Sequence, residues 1–166
     1  MNIVSIIDNQ RFINYLSRYK YLLKYFSFTP KIFYLLFIFL GLYFNKTDIL
    51  IFSCLCIISD IIIYILKRLI KRPRPLEIKS NTISKLTGYL PDKYSFPSAH
   101  TFTVFMILPY VISYNSFVSS IIFSIYSILV CLSRISLKHH FPSDVLFSVI
   151  LGFLTGIGII FIIFNI

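Results

Sequence analysis

Five apolar stretches constrain this chain of 166 residues more than any other feature. Each comes close to the roughly 20 residues with which a helix crosses a hydrocarbon core about 30 Å thick. Because backbone polar groups find no water inside a bilayer, each stretch is predicted to be a helix. The stretches are residues 25–44, 49–66, 98–114, 117–137 and 145–166. The expected fold class is all-α, an integral membrane helix bundle with about five transmembrane helices.

The composition agrees with a membrane protein and excludes other classes. Hydrophobic residues make up 57% of the chain and charged residues only 13%, whereas an average soluble domain has about 25% charged residues. So much apolar surface also excludes intrinsic disorder. Sixteen Lys and Arg stand against six Asp and Glu, which gives a formal net charge of +10. This excess indicates membrane lipids or a phosphorylated substrate as partners, and no nucleic acid is expected.

We expect a single membrane-embedded domain over residues 1–166, in which residues 1–24 form an amphipathic segment. In that segment apolar side chains recur at helical spacing, while Arg11 and Arg18 share the opposite side. Two interpretations fit this pattern equally well. The segment is either an interfacial helix in the lipid headgroup layer or a helix that caps the bundle.

Polar residues gather in two regions of the chain, and both lie within residues 67–144. The first region covers 67–75 and continues at 94–100, and the second covers 133–144. With five membrane spans, both regions fall on the same side of the membrane. Their side chains are therefore expected to converge on one pocket.

The cations of these regions suit a phosphoryl group. Lys67, Arg74 and Arg134 combine point-charge and fork-shaped donors, which match three non-bridging phosphate oxygens. Ser98 and Ala99 lie in a turn before a predicted helix, where a hydroxyl and backbone N–H groups face an anion at the positive end of the helix dipole. Phosphate is therefore the expected ligand.

Two histidines and one aspartate complete the predicted catalytic group. His140 lies four residues before Asp144, a spacing that lets the carboxylate accept a hydrogen bond from one ring nitrogen and leaves the other nucleophilic. His100, from a different helix, is expected to protonate the leaving oxygen. No cluster of carboxylates is available for a magnesium ion, so we expect metal-free catalysis without a cofactor.

Three short motifs in this order carry a family resemblance. They are Lys67 with Arg74-Pro75, then Pro97-Ser98-Ala99-His100, then Ser133-Arg134 with His140 and Asp144. Together they resemble the signature of the type 2 phosphatidic acid phosphatase superfamily. The family usually has glycine where this chain has Ala99, which makes the backbone approach to phosphate tighter. Alanine is expected to preserve activity if its φ angle is negative.

The resemblance implies a role for each residue. His140 would be the nucleophile that forms a phosphohistidine, Asp144 its orienting partner and His100 the general acid. The phosphoryl group would be held by Lys67, Arg74, Ser98, Ala99 and Arg134.

The plan of five helices also resembles small bacterial undecaprenyl-diphosphate phosphatases of the plasma (inner) membrane. Undecaprenyl diphosphate is therefore the leading substrate, ahead of phosphatidylglycerol phosphate, phosphatidic acid and lipid A phosphate. Two other functions stay open, a lipid-linked phosphotransferase and a non-catalytic protein that binds anionic lipid. The side of the membrane is also open. The positive-inside rule places the pocket in the cytoplasm, whereas the resemblance implies an outward-facing pocket.

Several polar residues have a simpler interpretation than catalysis. Arg68, Lys71 and Arg72 are expected to be cations that extend to the interface from a helix end. His139 is either an idle neighbour of His140 or part of the site. The intramembrane carboxylate of Asp60 either tunes the site or makes a structural hydrogen bond.

Overall fold

Helices account for most of the structure, a computed structural model that describes residues 10–27, 32–75 and 94–165. In chain order they are α1 (Gln10–Ser17), α2 (Lys20–Leu23), α3 (Ile32–Tyr43), α4 (Thr47–Ile70), α5 (Ala99–Tyr114), α6 (Phe117–Ser136) and α7 (Pro142–Phe164). Within these described ranges the extended pairing consists of one isolated antiparallel bridge, between Pro73 and Tyr94. The predicted all-α class is confirmed.

Three helices, α4, α6 and α7, are long and apolar enough to cross a membrane. The other two apolar helices, α3 and α5, have 12 and 16 residues, which at 1.5 Å per residue gives lengths of about 18 and 24 Å. All five predicted apolar stretches therefore form helices, and α3 and α5 are the shorter two in the described part of the chain. A left-handed backbone at Asn45, with φ of 52°, follows α3 and turns the chain into α4.

Two glycines allow α7 to lie directly against α5. A Cβ atom placed on Gly152 would clash with the carbonyl oxygen of Phe102, and one on Gly156 would clash with that of Met106. The four-residue spacing of these glycines predicts close packing within the bundle, and the structure confirms it. Around this contact the core is built from buried side chains of α4 and α5, among them Phe52, Ile63 and Ile107.

The amphipathic segment packs on the bundle instead of lying apart from it. Ile13 and Leu16 of α1 are buried against Ile135 and Val145, and Lys138 donates a hydrogen bond of 2.9 Å to the side-chain oxygen of Asn14. Residues 10–17 therefore contact the bundle as a capping helix would, while Phe12 and Tyr15 on the same helix stay exposed, as an interfacial helix requires. The part of the predicted segment at 1–9 lies outside the described residues.

Asp60 makes the structural hydrogen bond that the sequence left open. The Thr103 hydroxyl donates to Oδ1 of Asp60 at 3.0 Å, and the Tyr34 hydroxyl donates to the Thr103 oxygen at 3.2 Å. These three residues connect α3, α4 and α5 inside the apolar part of the bundle. A polar chain of this kind satisfies groups that would be costly to bury alone.

The two polar regions meet at one end of the bundle. The segment that follows α4 contacts the start of α7 through Arg72 and Asp144, and the segment before α5 contacts the loop between α6 and α7 through Ser95 and His140. Left-handed backbones at Lys71 and Lys138, with φ of 54° and 55°, redirect the chain after α4 and α6. The predicted convergence is confirmed.

Candidate active site

Lys67 lies in the last turn of α4 and its side chain points into the protein. It is only 4% exposed, and its Nζ atom donates to the carbonyl oxygen of Tyr94 at 3.4 Å. Arg68, the next residue, is exposed and lies over the ring of Tyr64, with its guanidinium carbon 4.6 Å from the ring centre. The structure thus separates a buried cation from a surface cation at the same helix end.

Ser95 joins the segment after α4 to the segment before α5. Its backbone N–H donates to the carbonyl of Arg72 at 2.8 Å, and its hydroxyl donates to the carbonyl of Pro73 at 2.9 Å. These bonds lie beside the bridge between Pro73 and Tyr94. Because Ser95 is fully buried, they fix the direction of its own carbonyl group.

That carbonyl accepts a hydrogen bond from His140. Nδ1 of the ring lies 2.6 Å from the Ser95 oxygen, and a carbonyl oxygen can only accept, so Nδ1 carries the proton. In the neutral ring the other nitrogen, Nε2, then holds the lone pair. His140 is 1% exposed, so the ring is held in one orientation by its surroundings.

Asp144 occupies a different position from the one predicted. Its Oδ2 atom lies 3.9 Å from Nδ1 of His140, too far for a hydrogen bond. Oδ2 instead accepts from the backbone N–H of Phe141 at 3.0 Å, and Oδ1 accepts from Arg72 at 2.5 Å. The expected hydrogen bond between Asp144 and His140 is therefore replaced by one from His140 to Ser95, with the carboxylate as a nearby charge.

Arg72 is not the surface cation that the sequence suggested. Its guanidinium binds Asp144 and also donates to the Ser143 hydroxyl at 2.7 Å. It lies over the ring of Phe141, with 4.3 Å between the guanidinium carbon and the ring centre. The left-handed turn at Lys71 is the physical reason, because it ends α4 at Ile70 and directs Arg72 toward α7.

His139 is a partner of Arg134 and not an idle neighbour of His140. Nη2 of Arg134 lies 2.9 Å from Nδ1 of His139, and since a guanidinium only donates, Nδ1 of His139 is the acceptor. Arg134 itself is 6% exposed. The neutral ring of His139 thus helps to orient the guanidinium.

Three cations act on both histidine rings of this loop. Burial, followed by the charges of Arg134, Lys67 and Arg74, holds the pKa of His140 well below its ordinary value, although the Ser95 carbonyl opposes the shift. Burial and the same cations lower the pKa of His139 to about 3. Both rings are therefore neutral near pH 7, and the positive potential that keeps them neutral also attracts an anion.

Ser98, the residue before α5, makes hydrogen bonds to other side chains of the protein. The Ser98 N–H donates to the Ser148 hydroxyl at 2.7 Å, and the Ser98 hydroxyl donates to Thr101 at 3.1 Å. Ala99 is the first residue of α5 and is not among the residues with positive φ, so it meets the condition that the sequence set for replacing glycine. His100 follows in the first turn and is partly exposed.

Sequence reasoning missed the roles of Arg72 and Ser95. Arg72 stands in a run of cations at a helix end, where charge alone does not distinguish a buried partner from a surface residue. Ser95 acts through its backbone carbonyl, which carries no sequence signal. Its neighbour Pro97 and the motif that follows are the only local hints that this segment lies at the site.

This arrangement suits attack on phosphorus. A neutral imidazole with a fixed lone pair lies in a positive field from three cations, which is the environment in which a nucleophile can approach a phosphate anion. No three His, Cys, Asp or Glu side chains group together as a metal site in the part of the chain that the structure describes.

Comparisons with known proteins give a family and a similar fold. A family model described as the PAP2 superfamily matches residues 48–166. The crystal structure of LpxE from Aquifex aeolicus has a similar fold, with a TM-score of 0.63 and 20% sequence identity over 95% of this chain and 92% of that chain. Identity this low indicates a shared fold alone. No curated protein matches the chain significantly.

Proposed function

The chain belongs to the PAP2 superfamily, and from that premise we propose that it is a membrane lipid phosphatase that works through a phosphohistidine intermediate. Family membership and the three long apolar helices support a phosphatase that acts on lipid phosphates at a membrane. The observation that supports the mechanism is the 2.6 Å hydrogen bond between His140 and the Ser95 carbonyl, since it leaves Nε2 as the nucleophile.

In the first step, the lone pair on Nε2 of His140 forms a bond to phosphorus while the bond from phosphorus to the leaving oxygen breaks. His100 gives a proton to that oxygen. Lys67, Arg74 and Arg134 hold the three non-bridging oxygens and offset their charge. The Asp144 carboxylate, 3.9 Å from the ring, stabilises the positive charge that develops on the imidazole.

In the second step, water attacks the phosphohistidine and the bond between nitrogen and phosphorus breaks. His100, now unprotonated, takes the proton of the water, and inorganic phosphate leaves. Uncatalysed hydrolysis of a phosphate monoester is so slow that enzymes accelerate it by up to about 10²¹-fold. A covalent intermediate and fixed cations are the two contributions that these residues supply.

The substrate follows from the setting of the site. The catalytic end contains a dense group of cations beside apolar helices that fit a bilayer, so a phosphate on a lipid can reach it without leaving the membrane. Undecaprenyl diphosphate is the leading candidate, ahead of phosphatidylglycerol phosphate, phosphatidic acid and lipid A phosphate. We place the protein in the plasma (inner) membrane and propose that catalysis needs no metal.

Product analysis tests this function. Purified protein in detergent is incubated with each of the four lipid phosphates, and inorganic phosphate and the lipid product are quantified. Release of phosphate that is highest with undecaprenyl diphosphate is expected, with Arg68→Ala as an active control and His140→Gln as an inactive one. Absence of release from all four lipids would reject a lipid phosphatase. Transfer of the phosphate to an added alcohol in preference to water would identify a phosphotransferase.

A further inference from the structure

We propose that Arg72 is a positioning residue for this reaction, which holds the Asp144 carboxylate beside the His140 imidazole and fixes the carbonyl that binds the ring. The inference rests on the proposed function and adds to it a residue that lies outside the three motifs. It also gives Asp144 a role different from that of a hydrogen-bond acceptor for the ring.

The first support is the way in which Arg72 holds the carboxylate. Asp144 is fully buried, and the guanidinium of Arg72 supplies the positive charge next to it, 2.5 Å from Oδ1. The Ser143 hydroxyl and the Phe141 ring hold the guanidinium from two further directions. With Oδ1 held by Arg72, the other oxygen, Oδ2, stays 3.9 Å from the ring of His140.

The second support is that the backbone of Arg72 reaches the other partner of the same ring. The carbonyl of Arg72 accepts from the Ser95 N–H at 2.8 Å, and the Ser95 carbonyl accepts from His140 at 2.6 Å. Arg72 thus contacts both residues that flank the imidazole. Its backbone carbonyl binds Ser95, and its side chain binds Asp144. Neither contact requires Arg72 to touch a substrate.

The charges around His140 show what these contacts control. The cations whose charges act on the ring are Lys67 on α4, Arg74 in the segment that follows and Arg134 on α6. The guanidinium of Arg72 lies against Asp144 instead. Other titratable groups on the described elements around the ring are Asp144 on α7, His139 in the same loop and His100 at the start of α5. Asp144 is the carboxylate among these residues, and its negative charge, 3.9 Å from the ring, favours a proton there, as does the Ser95 carbonyl. Arg72 compensates that negative charge, and the free enzyme keeps a neutral nucleophile.

Loss of Arg72 is therefore expected to let the pair of His140 and Asp144 take up a proton at a higher pH. A protonated imidazole has no lone pair for phosphorus, so the acid limb of the rate profile moves with it. Arg72→Lys keeps the positive charge beside Asp144, although not the planar guanidinium. Because the inference depends on that charge, the lysine variant is expected to restore most of the wild-type behaviour. Arg68→Ala removes an exposed cation of the same helix end and serves as the matched control.

The experiment uses purified full-length protein in detergent without substrate. Because the chain has three histidines, ¹⁵N-histidine labelling gives three pairs of ring signals, and His139→Gln and His100→Gln identify the pair that belongs to His140. The pH is lowered from 8 until the ring titrates. In wild type we expect a neutral ring protonated at Nδ1 throughout pH 6–8 and a titration midpoint below that range. In Arg72→Ala the titration midpoint is expected to rise by about one pH unit or more, while Arg72→Lys and Arg68→Ala stay close to wild type. An unchanged midpoint in Arg72→Ala would overturn the inference.

Turnover of a lipid phosphate provides the second arm. Arg72→Ala is expected to lower kcat by about 10- to 100-fold, the effect of losing a partner behind a functional ligand. In an Asp144→Asn background the same substitution is expected to change kcat by less than about threefold, because its effect passes through Asp144. A tenfold further loss in that background would overturn the inference. This double variant leaves no buried carboxylate unpaired, so it carries the test even if Arg72→Ala alone does not fold.

The two arms distinguish failure of the inference from failure of the proposed function. A wild-type protein that hydrolyses no lipid phosphate contradicts the function, whereas the ring titration without substrate still reports whether Arg72 controls His140. A wild-type protein that hydrolyses lipid phosphate but shows the same ring titration in Arg72→Ala contradicts the inference alone.

Discussion

Nδ1 of His140 lies 2.6 Å from the carbonyl oxygen of Ser95, although 45 residues separate them in the chain. This contact sets the proton on one nitrogen and leaves the other available for attack. It also connects the loop between α6 and α7, which carries the proposed nucleophile, to the segment before α5, which leads to the proposed general acid His100.

Removal of an arginine from the proposed phosphate site is expected to abolish most turnover. Arg74→Ala or Arg134→Ala deletes a fixed positive charge where charge develops in the transition state, which costs on the order of 10²- to 10³-fold in kcat. The rate with a lipid phosphate and the circular dichroism spectrum are measured for each variant. Arg68→Ala, an exposed cation over Tyr64, is the control and should keep wild-type turnover. Equal activity of Arg134→Ala and the control would contradict the assigned role.

Stability is expected to fall with decreasing pH because of His139. Its pKa is lowered from 6.5 to about 3. Between these two pH values His139 is therefore protonated in the unfolded chain but neutral in the folded protein. The contribution to the free energy of unfolding is therefore constant above the higher value and is lost progressively from pH 6.5 toward pH 3. Thermal unfolding in detergent at pH 7.5 and pH 5 should show a smaller difference for His139→Gln than for wild type. The same difference in both proteins would disprove this origin.

The contact between α5 and α7 is expected to tolerate no added methyl group. Gly152→Ala places a Cβ against the Phe102 carbonyl, and overpacking of this kind typically costs about 1–3 kcal/mol. Gly158, on the same helix, has nothing within 4 Å of such a Cβ, so Gly158→Ala should be neutral or stabilising by up to about 1 kcal/mol. Unfolding in a denaturing detergent compares the two variants. Similar stability of both would show that the helices separate without cost.

Turnover is expected to persist in excess EDTA. The proposed phosphate site consists of Lys67, Arg74 and Arg134, and these cations supply the charge that a metal ion would otherwise provide. Phosphate release from a lipid phosphate is compared with and without the chelator. A loss of turnover that added magnesium restores would show that catalysis requires a metal.

The fold class and the convergence of the motifs were predictable from the sequence, because both follow from the apolar stretches and from the positions of the polar motifs between them. A bilayer requires apolar helices, and alternating spans bring the end of one helix and the start of the next to the same side. The bounds of α5 were predicted to within one residue, whereas α3 begins seven residues after the start of the predicted stretch at residue 25.

The contacts of the site were less accessible to sequence reasoning. The spacing between His140 and Asp144 predicted a hydrogen bond, but it could not reveal a competing carbonyl from a segment 45 residues away. Arg72 looked like its neighbours Arg68 and Lys71, because a run of cations shows charge and not direction. The left-handed turn at Lys71 makes the difference, and lysine is not a residue that indicates such a turn.

Trapping of the covalent intermediate tests the central claim most directly. The two histidines have different roles in the proposed mechanism. Nε2 of His140 would attack phosphorus, and no property of the substrate can replace that attack. His100 supplies a proton that a leaving phenolate of low pKa does not need.

A radiolabelled aryl phosphate is mixed rapidly with wild type, His100→Gln and His140→Gln, and the reaction is quenched without acid. The account predicts acid-labile label on the His100→Gln protein and none on the His140→Gln protein. Label on His140→Gln but not on His100→Gln would exchange the two roles. Absence of label from every protein that still releases phosphate would contradict the phosphohistidine and indicate direct attack by water.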